Sequence, residues 1–76
     1  MEPFKIFIVE DDEFYGEMLK HHLLKNPDYE VELFLTGNEC VKNLYKNPSA
    51  ISLDYSLPDI SGHEVIKKIK SFGYNI

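Results

Sequence analysis

The run from Phe4 to Val9, FKIFIV, is apolar and partly β-branched except at Lys5, and Pro3 and the acids Glu10, Asp11 and Asp12 bound it. A short apolar run with such limits reads as a strand buried on both faces. The period then changes: Tyr15, Leu19, His22 and Leu23 fall at i, i+4, i+7 and i+8 with Met18 beside them, one stripe of a helix spanning about residues 13–25 and ended by Asn26–Pro27. Over residues 29–36, Tyr29, Val31, Leu33 and Leu35 alternate with Glu30, Glu32 and Phe34. That period of two, with acids on one face, predicts an edge strand. Thr36 and Glu39 have the spacing of a capping box, and Val41, Leu44 and Tyr45 mark a short helix over about 37–46 that stops before Asn47–Pro48. AISLD, residues 50–54, reads as the third strand. Ser61 and Glu64 repeat the capping pattern, and Val65, Ile66, Ile69 and Phe72 form the apolar face of a helix over about 62–72.

Strand and helix therefore alternate three times, which predicts a single α/β domain over residues 1–76 with parallel strands and right-handed crossovers. A chain of 76 residues, 43% hydrophobic and 28% charged, has the composition of a folded domain rather than of a disordered segment. Its net charge of -5, with no cluster of Lys or Arg, argues against direct binding to nucleic acid. No run approaches the length of a membrane helix, and the amino terminus does not read as a signal sequence. The lone Cys40 excludes an internal disulfide; it is expected to be a small buried apolar residue in a reducing, cytoplasmic setting.

Chemistry enters through the strand ends. In an open parallel sheet, ligands gather beyond the carboxyl ends of the strands where strand order reverses, and in the flavodoxin-like order 2-1-3 that point lies between strands 1 and 3. Strand 1 runs into Glu10 and Asp11, and strand 3 into Asp54. Adjacent strands lie about 4.8 Å apart, so three carboxylates are expected in one shallow cleft. Such a cluster takes up a proton or holds a cation, and a set of oxygen donors favours Mg²⁺ together with phosphate. A carboxylate can itself be the nucleophile, forming an acyl phosphate.

The remaining polar residues have plainer readings. Asp12 and Glu13 suit the positive end of the following helix, and Asp59 suits a turn. His21 and His22 face different ways, with no third ligand, and are expected to be one surface and one half-buried histidine. Gly16 sits where a calcium loop starting at Asp11 would want glycine, but Tyr15 and His22 occupy ligand positions of that loop. The tyrosines at 29, 45, 55 and 74 are expected in packing or rim positions.

IFIVEDDE, followed some forty residues on by LDYSLPDISGHEVIKKIK, closely resembles the receiver domain of two-component response regulators, and the likeness extends along the whole chain. The resemblance implies that Asp54 is the phosphoacceptor and that a histidine kinase or phosphotransfer protein is the donor. It implies Mg²⁺ held by Asp11 directly, Glu10 mainly through water, Asp54, and the main-chain carbonyl of Ser56. Pro58 and Gly62 match the loop that shapes the family's site, and Tyr55 is expected to shape access to Asp54. A receiver is a phosphorylated signalling module, not a stand-alone enzyme. An aspartyl-nucleophile phosphohydrolase would need a substrate cap and a further acid–base residue, for which 76 residues leave no room.

Receivers usually contain five strand-helix units, and these residues supply the (βα)3 portion. The family's fourth-strand Ser or Thr and fifth-strand Lys, which contact the phosphoryl group, belong to the other units. Phosphotransfer is accordingly expected to be impaired in this chain, with metal binding, which demands less, retained. Strand 3 would become an edge and helix 1 would be left partly wet along Leu19 and Leu23. A self-associating homo-oligomer, working as an interaction module without phosphorylation, is the alternative expectation.

Overall fold

The computed structural model describes residues 3–54, 57, 59 and 62–71. Three strands, β1 (Phe4–Val9), β2 (Tyr29–Phe34) and β3 (Ala50–Leu53), form one parallel sheet in the order β2-β1-β3. Helix α1 (Glu13–Leu23) joins β1 to β2, helix α2 (Gly37–Lys42) and a 3-10 turn (Leu44–Lys46) join β2 to β3, and α3 (Gly62–Ser71) follows β3. This is the expected flavodoxin-like arrangement.

The central position of β1 explains its composition: Ile6, Phe7, Ile8 and Val9 are all buried. Successive side chains point to opposite faces, so both faces of this strand must be covered. Phe7, Val9 and Phe34 pack with Cys40, Leu44, Val65 and Ile69 into the main core, with Ile51 and Leu53 against it. Phe7 and Phe34 meet edge to face, with ring centroids 4.8 Å apart. Cys40 is fully buried, and burial pushes its thiol up to about 11, which leaves it an apolar filler rather than a nucleophile.

Ile8 is paired in register with Leu33, and α1 crosses Leu33 closely. A Cβ built on Gly16 would lie 2.7 Å from Leu33 Cδ1, so the glycine permits that approach. The outward side of α1 is another matter. Tyr15, Met18 and His22 of the expected apolar stripe are exposed, and Leu19 and Leu23 are half-buried. His22, expected to be half-buried, is a surface residue because no described element covers that side of the helix.

Several boundaries differ from the sequence pattern, each for a local reason. Helix α1 stops at Leu23 rather than near Lys25, because Asn26 turns the chain: its side-chain oxygen accepts from the Asp28 N–H at 2.9 Å and its carbonyl from Tyr29. β2 ends at Phe34 rather than Thr36, since Thr36 is the amino-terminal cap of α2 and its hydroxyl accepts from the Glu39 N–H at 3.2 Å. The helix expected over 37–46 is divided at Asn43, whose side-chain amide donates to the Glu39 carbonyl at 2.7 Å. Asn47 then takes a left-handed conformation, φ 55°, which asparagine tolerates. β3 ends at Leu53, one residue before Asp54. In α3, Val65 and Ile69 are buried and Ile66 is half-buried, as the pattern requires. Ser61 and Phe72, expected as its cap and last apolar contact, lie outside the described residues.

Candidate functional site

The carboxyl ends of β1 and β3 are fixed by the ladder itself. Val9 and Leu53 are partners in register, and the chain continues from them into Glu10 and Asp54. The Asp54 N–H donates to the Val9 carbonyl at 3.0 Å, and the Glu10 N–H donates to the Phe34 carbonyl of β2 at 3.0 Å. Each acid thus enters its position through one last main-chain bond to a neighbouring strand.

Their side chains meet. Glu10, Asp11 and Asp54 each offer a carboxylate oxygen, and these atoms lie within 4.8 Å of one another; Glu10 and Asp54 are half-buried and Asp11 is exposed. Asp12 does not join them, because its carboxylate accepts the Tyr15 N–H at 3.1 Å and caps α1. The expectation for Asp12 was that helix role.

The electrostatics follow from the crowding. Partial burial raises the Glu10 carboxyl above the usual carboxylate range, and a hydrogen bond with Asp54 and the charges of Asp54, Asp11 and Asp12 push it the same way. Two unit charges about 4 Å apart repel by about 4 kcal/mol at an effective dielectric of 20. Water screens the exposed Asp11 more than its neighbours. A shared proton relieves this repulsion, and a divalent cation relieves it without neutralising the carboxylates. The donor set consists of hard oxygens with room for water, which fits Mg²⁺.

Gly62 is buried as the first residue of α3, at the far end of the loop that leaves Asp54. Tyr55, Ser56 and Pro58 lie outside the described residues. Asp59 was expected to be a plain turn residue, and its role is larger. Its two carboxylate oxygens accept the N–H groups of Gly37 at 2.9 Å and Asn38 at 2.8 Å, fastening the segment after Asp54 to the start of α2. The signal was available in principle. The Thr36 hydroxyl accepts the Glu39 N–H, which leaves the Gly37 and Asn38 N–H groups at the start of α2 open to a further acceptor.

The family model described as the response regulator receiver domain matches residues 6–76. The chain belongs to the receiver family. Among curated relatives, this receiver is 32% identical over 68 residues to the transcriptional regulatory protein CssR of Bacillus subtilis, covering 90% of this chain and 30% of that protein. It is 35% identical over 72 residues to the response regulator MprA of Mycolicibacterium vanbaalenii, covering 93% of this chain and 31% of that one. The receiver therefore spans about a third of the length of each of these two relatives. Among solved structures, the response regulator protein TrrA from Thermotoga maritima, in complex with Mg²⁺-BeF, superposes with a TM-score of 0.81 at 31% identity, over 91% of this chain and 60% of that one.

Proposed function

We propose that this receiver is the phosphoacceptor of a two-component relay and that Asp54 carries the phosphoryl group. The convergence of the Glu10, Asp11 and Asp54 carboxylate oxygens within 4.8 Å supports this reading most strongly. In the proposed step, an Asp54 carboxylate oxygen attacks the phosphorus of a phosphohistidine on a sensor kinase or phosphotransfer protein. An O–P bond forms, the N–P bond breaks, and the imidazole nitrogen leaves with the bonding pair and takes a proton from water. Asp11 and Asp54 directly, Glu10 mainly through water, and the Ser56 carbonyl would hold Mg²⁺, which when bound neutralises charge on the transferred group. The chain's own contribution is to hold the nucleophile at a strand end, with its acidic neighbours on one side. Consumption of one phosphoryl group per chain makes it a signalling acceptor, not a turnover enzyme, and a cytoplasmic setting suits such a donor. Described residues include no helix long and apolar enough to cross a membrane.

The decisive measurement is the intact mass of native and Asp54→Asn protein after incubation with Mg²⁺ and a small acyl-phosphate donor. A mass increment of one phosphoryl group is expected in the native protein alone, at partial occupancy in keeping with the impaired transfer expected of this chain. Its absence from both would reject the reading.

A second reading, assembly with another copy of the chain, is favoured by two observations. Among the described residues β3 pairs only with β1, so its other edge is open, and Tyr15 and Met18 stand exposed at 51% and 54% on α1. Light scattering across protein concentration tests it: a mass rising above that of the monomer is expected, and a constant monomer rejects it.

A further inference from the structure

We propose that Asp59 is a positioning residue for Asp54, acting through the amino end of α2 rather than on the phosphoryl group. The inference rests on the phosphoacceptor reading and concerns how that aspartate is aimed. The ladder bond from the Asp54 N–H to Val9 fixes the peptide that enters Asp54. It does not fix the peptide that leaves, and the direction of the side chain depends on both. Five residues on, Asp59 grips the Gly37 and Asn38 N–H groups with separate oxygens, at 2.9 and 2.8 Å. Bonds from N–H groups to an ionised carboxylate are stronger than neutral ones, and two of them fix orientation as well as position.

The place of the grip gives it functional reach. Gly37 and Asn38 open α2, directly after the turn that leaves β2, and the last residue of β2, Phe34, accepts the Glu10 N–H. Asp59 thus ties the chain leaving Asp54 to the same β2–α2 junction that anchors Glu10. The nucleophile and its acidic neighbour share one mechanical reference. Thr36 caps the Glu39 N–H locally, whereas the Gly37 and Asn38 N–H groups are held by Asp59 from more than twenty residues away.

The test compares Asp59→Ala, Asp59→Asn and Thr36→Ala with the native protein. Asparagine removes the same charge as alanine but keeps one acceptor for the α2 N–H groups, so the pair separates geometry from charge. Thr36→Ala removes a cap from the same helix without touching the link to Asp54. Mg²⁺ titration followed at the Asp54 amide resonance is expected to show binding weakened roughly tenfold in Asp59→Ala, less in Asp59→Asn, and unchanged in Thr36→Ala. In metal-free Asp59→Ala the Asp54 amide is expected to move in chemical shift and to exchange faster with solvent. Native-like Mg²⁺ affinity in Asp59→Ala, or equal weakening in Thr36→Ala, would overturn the assignment. If the native protein itself shows no response to Mg²⁺, the phosphoacceptor reading fails separately, and an unchanged metal-free Asp54 signal in Asp59→Ala then overturns the positioning role.

Discussion

The two ends of the sheet both gather charge and use it in opposite ways. At the amino end, Lys5 and Glu30 lie side by side on adjacent strands with their charged groups 3.9 Å apart, and Lys46 reaches Glu32 at 2.9 Å. The Lys5 ammonium also donates to the Lys46 carbonyl at 3.4 Å. Opposite signs alternate there, and the Glu32 partnership pushes the Lys46 ammonium up, towards holding its proton. At the carboxyl end the signs agree, and every influence on Glu10 pushes it towards protonation. One end satisfies itself. The other carries an imbalance that a bound cation would relieve, and this sets it apart as the candidate site.

Three perturbations sharpen this contrast, starting with the largest. Replacing Asp11 by Asn removes a donor from the acidic end and is expected to weaken Mg²⁺ binding by about tenfold or more, measured by titration of the amide resonances. Replacing Glu32 by Gln at the amino end should leave Mg²⁺ affinity unchanged. Equal effects would erase the distinction between the ends.

The next perturbation is pH. The folded Glu10 carboxyl lies above its ordinary value of 4.5, so the fold binds its proton more readily than the unfolded chain does. Its contribution to stability is fully present below 4.5 and is lost as pH rises through the raised folded value. In metal-free protein, native stability relative to Glu10→Gln should therefore fall as pH climbs through that window, as read from urea midpoints. Saturating Mg²⁺ should restore native stability at neutral pH. A relative stability that rises with pH in the metal-free protein would contradict the crowding described for the three acids.

The smallest effect belongs to the amino end. Removing Glu32 as partner of the partly exposed Lys46 should move the urea midpoint only slightly at low salt and less at high salt, because water and ions already screen the pair. A large, salt-independent loss would mean that this end, too, is under strain.

The parts of this molecule legible in the sequence are those whose cause is local. β1 is recognisable because a central strand must be apolar on both faces, and its observed limits, Phe4–Val9, are those of the apolar run. The meeting of Glu10, Asp11 and Asp54 is legible because strand ends in a 2-1-3 sheet have few places to go. The end of β2 is ambiguous in the sequence because Thr36 satisfies both patterns: its side chain caps α2 while its backbone is still extended. The role of Asp59 is not legible in the sequence for a different reason: its partners, Gly37 and Asn38, lie more than twenty residues earlier, and no periodicity connects them. The exposure of Tyr15, Met18 and His22 was equally illegible from their spacing, since an apolar stripe announces that a helix face can be covered but not what covers it.

The register that seats Leu53 beside Val9 also governs which length changes this chain can absorb. The stretch between α2 and β3 is itself pinned, by Leu44 in the core and by the Ser49 N–H, which donates to the Lys5 carbonyl at 2.7 Å. A single residue deleted within Ala50–Leu53 would turn every following side chain to the opposite face and carry Asp54 away from its acidic neighbours. The four positions of β3 thus behave as a ruler that sets where Asp54 falls.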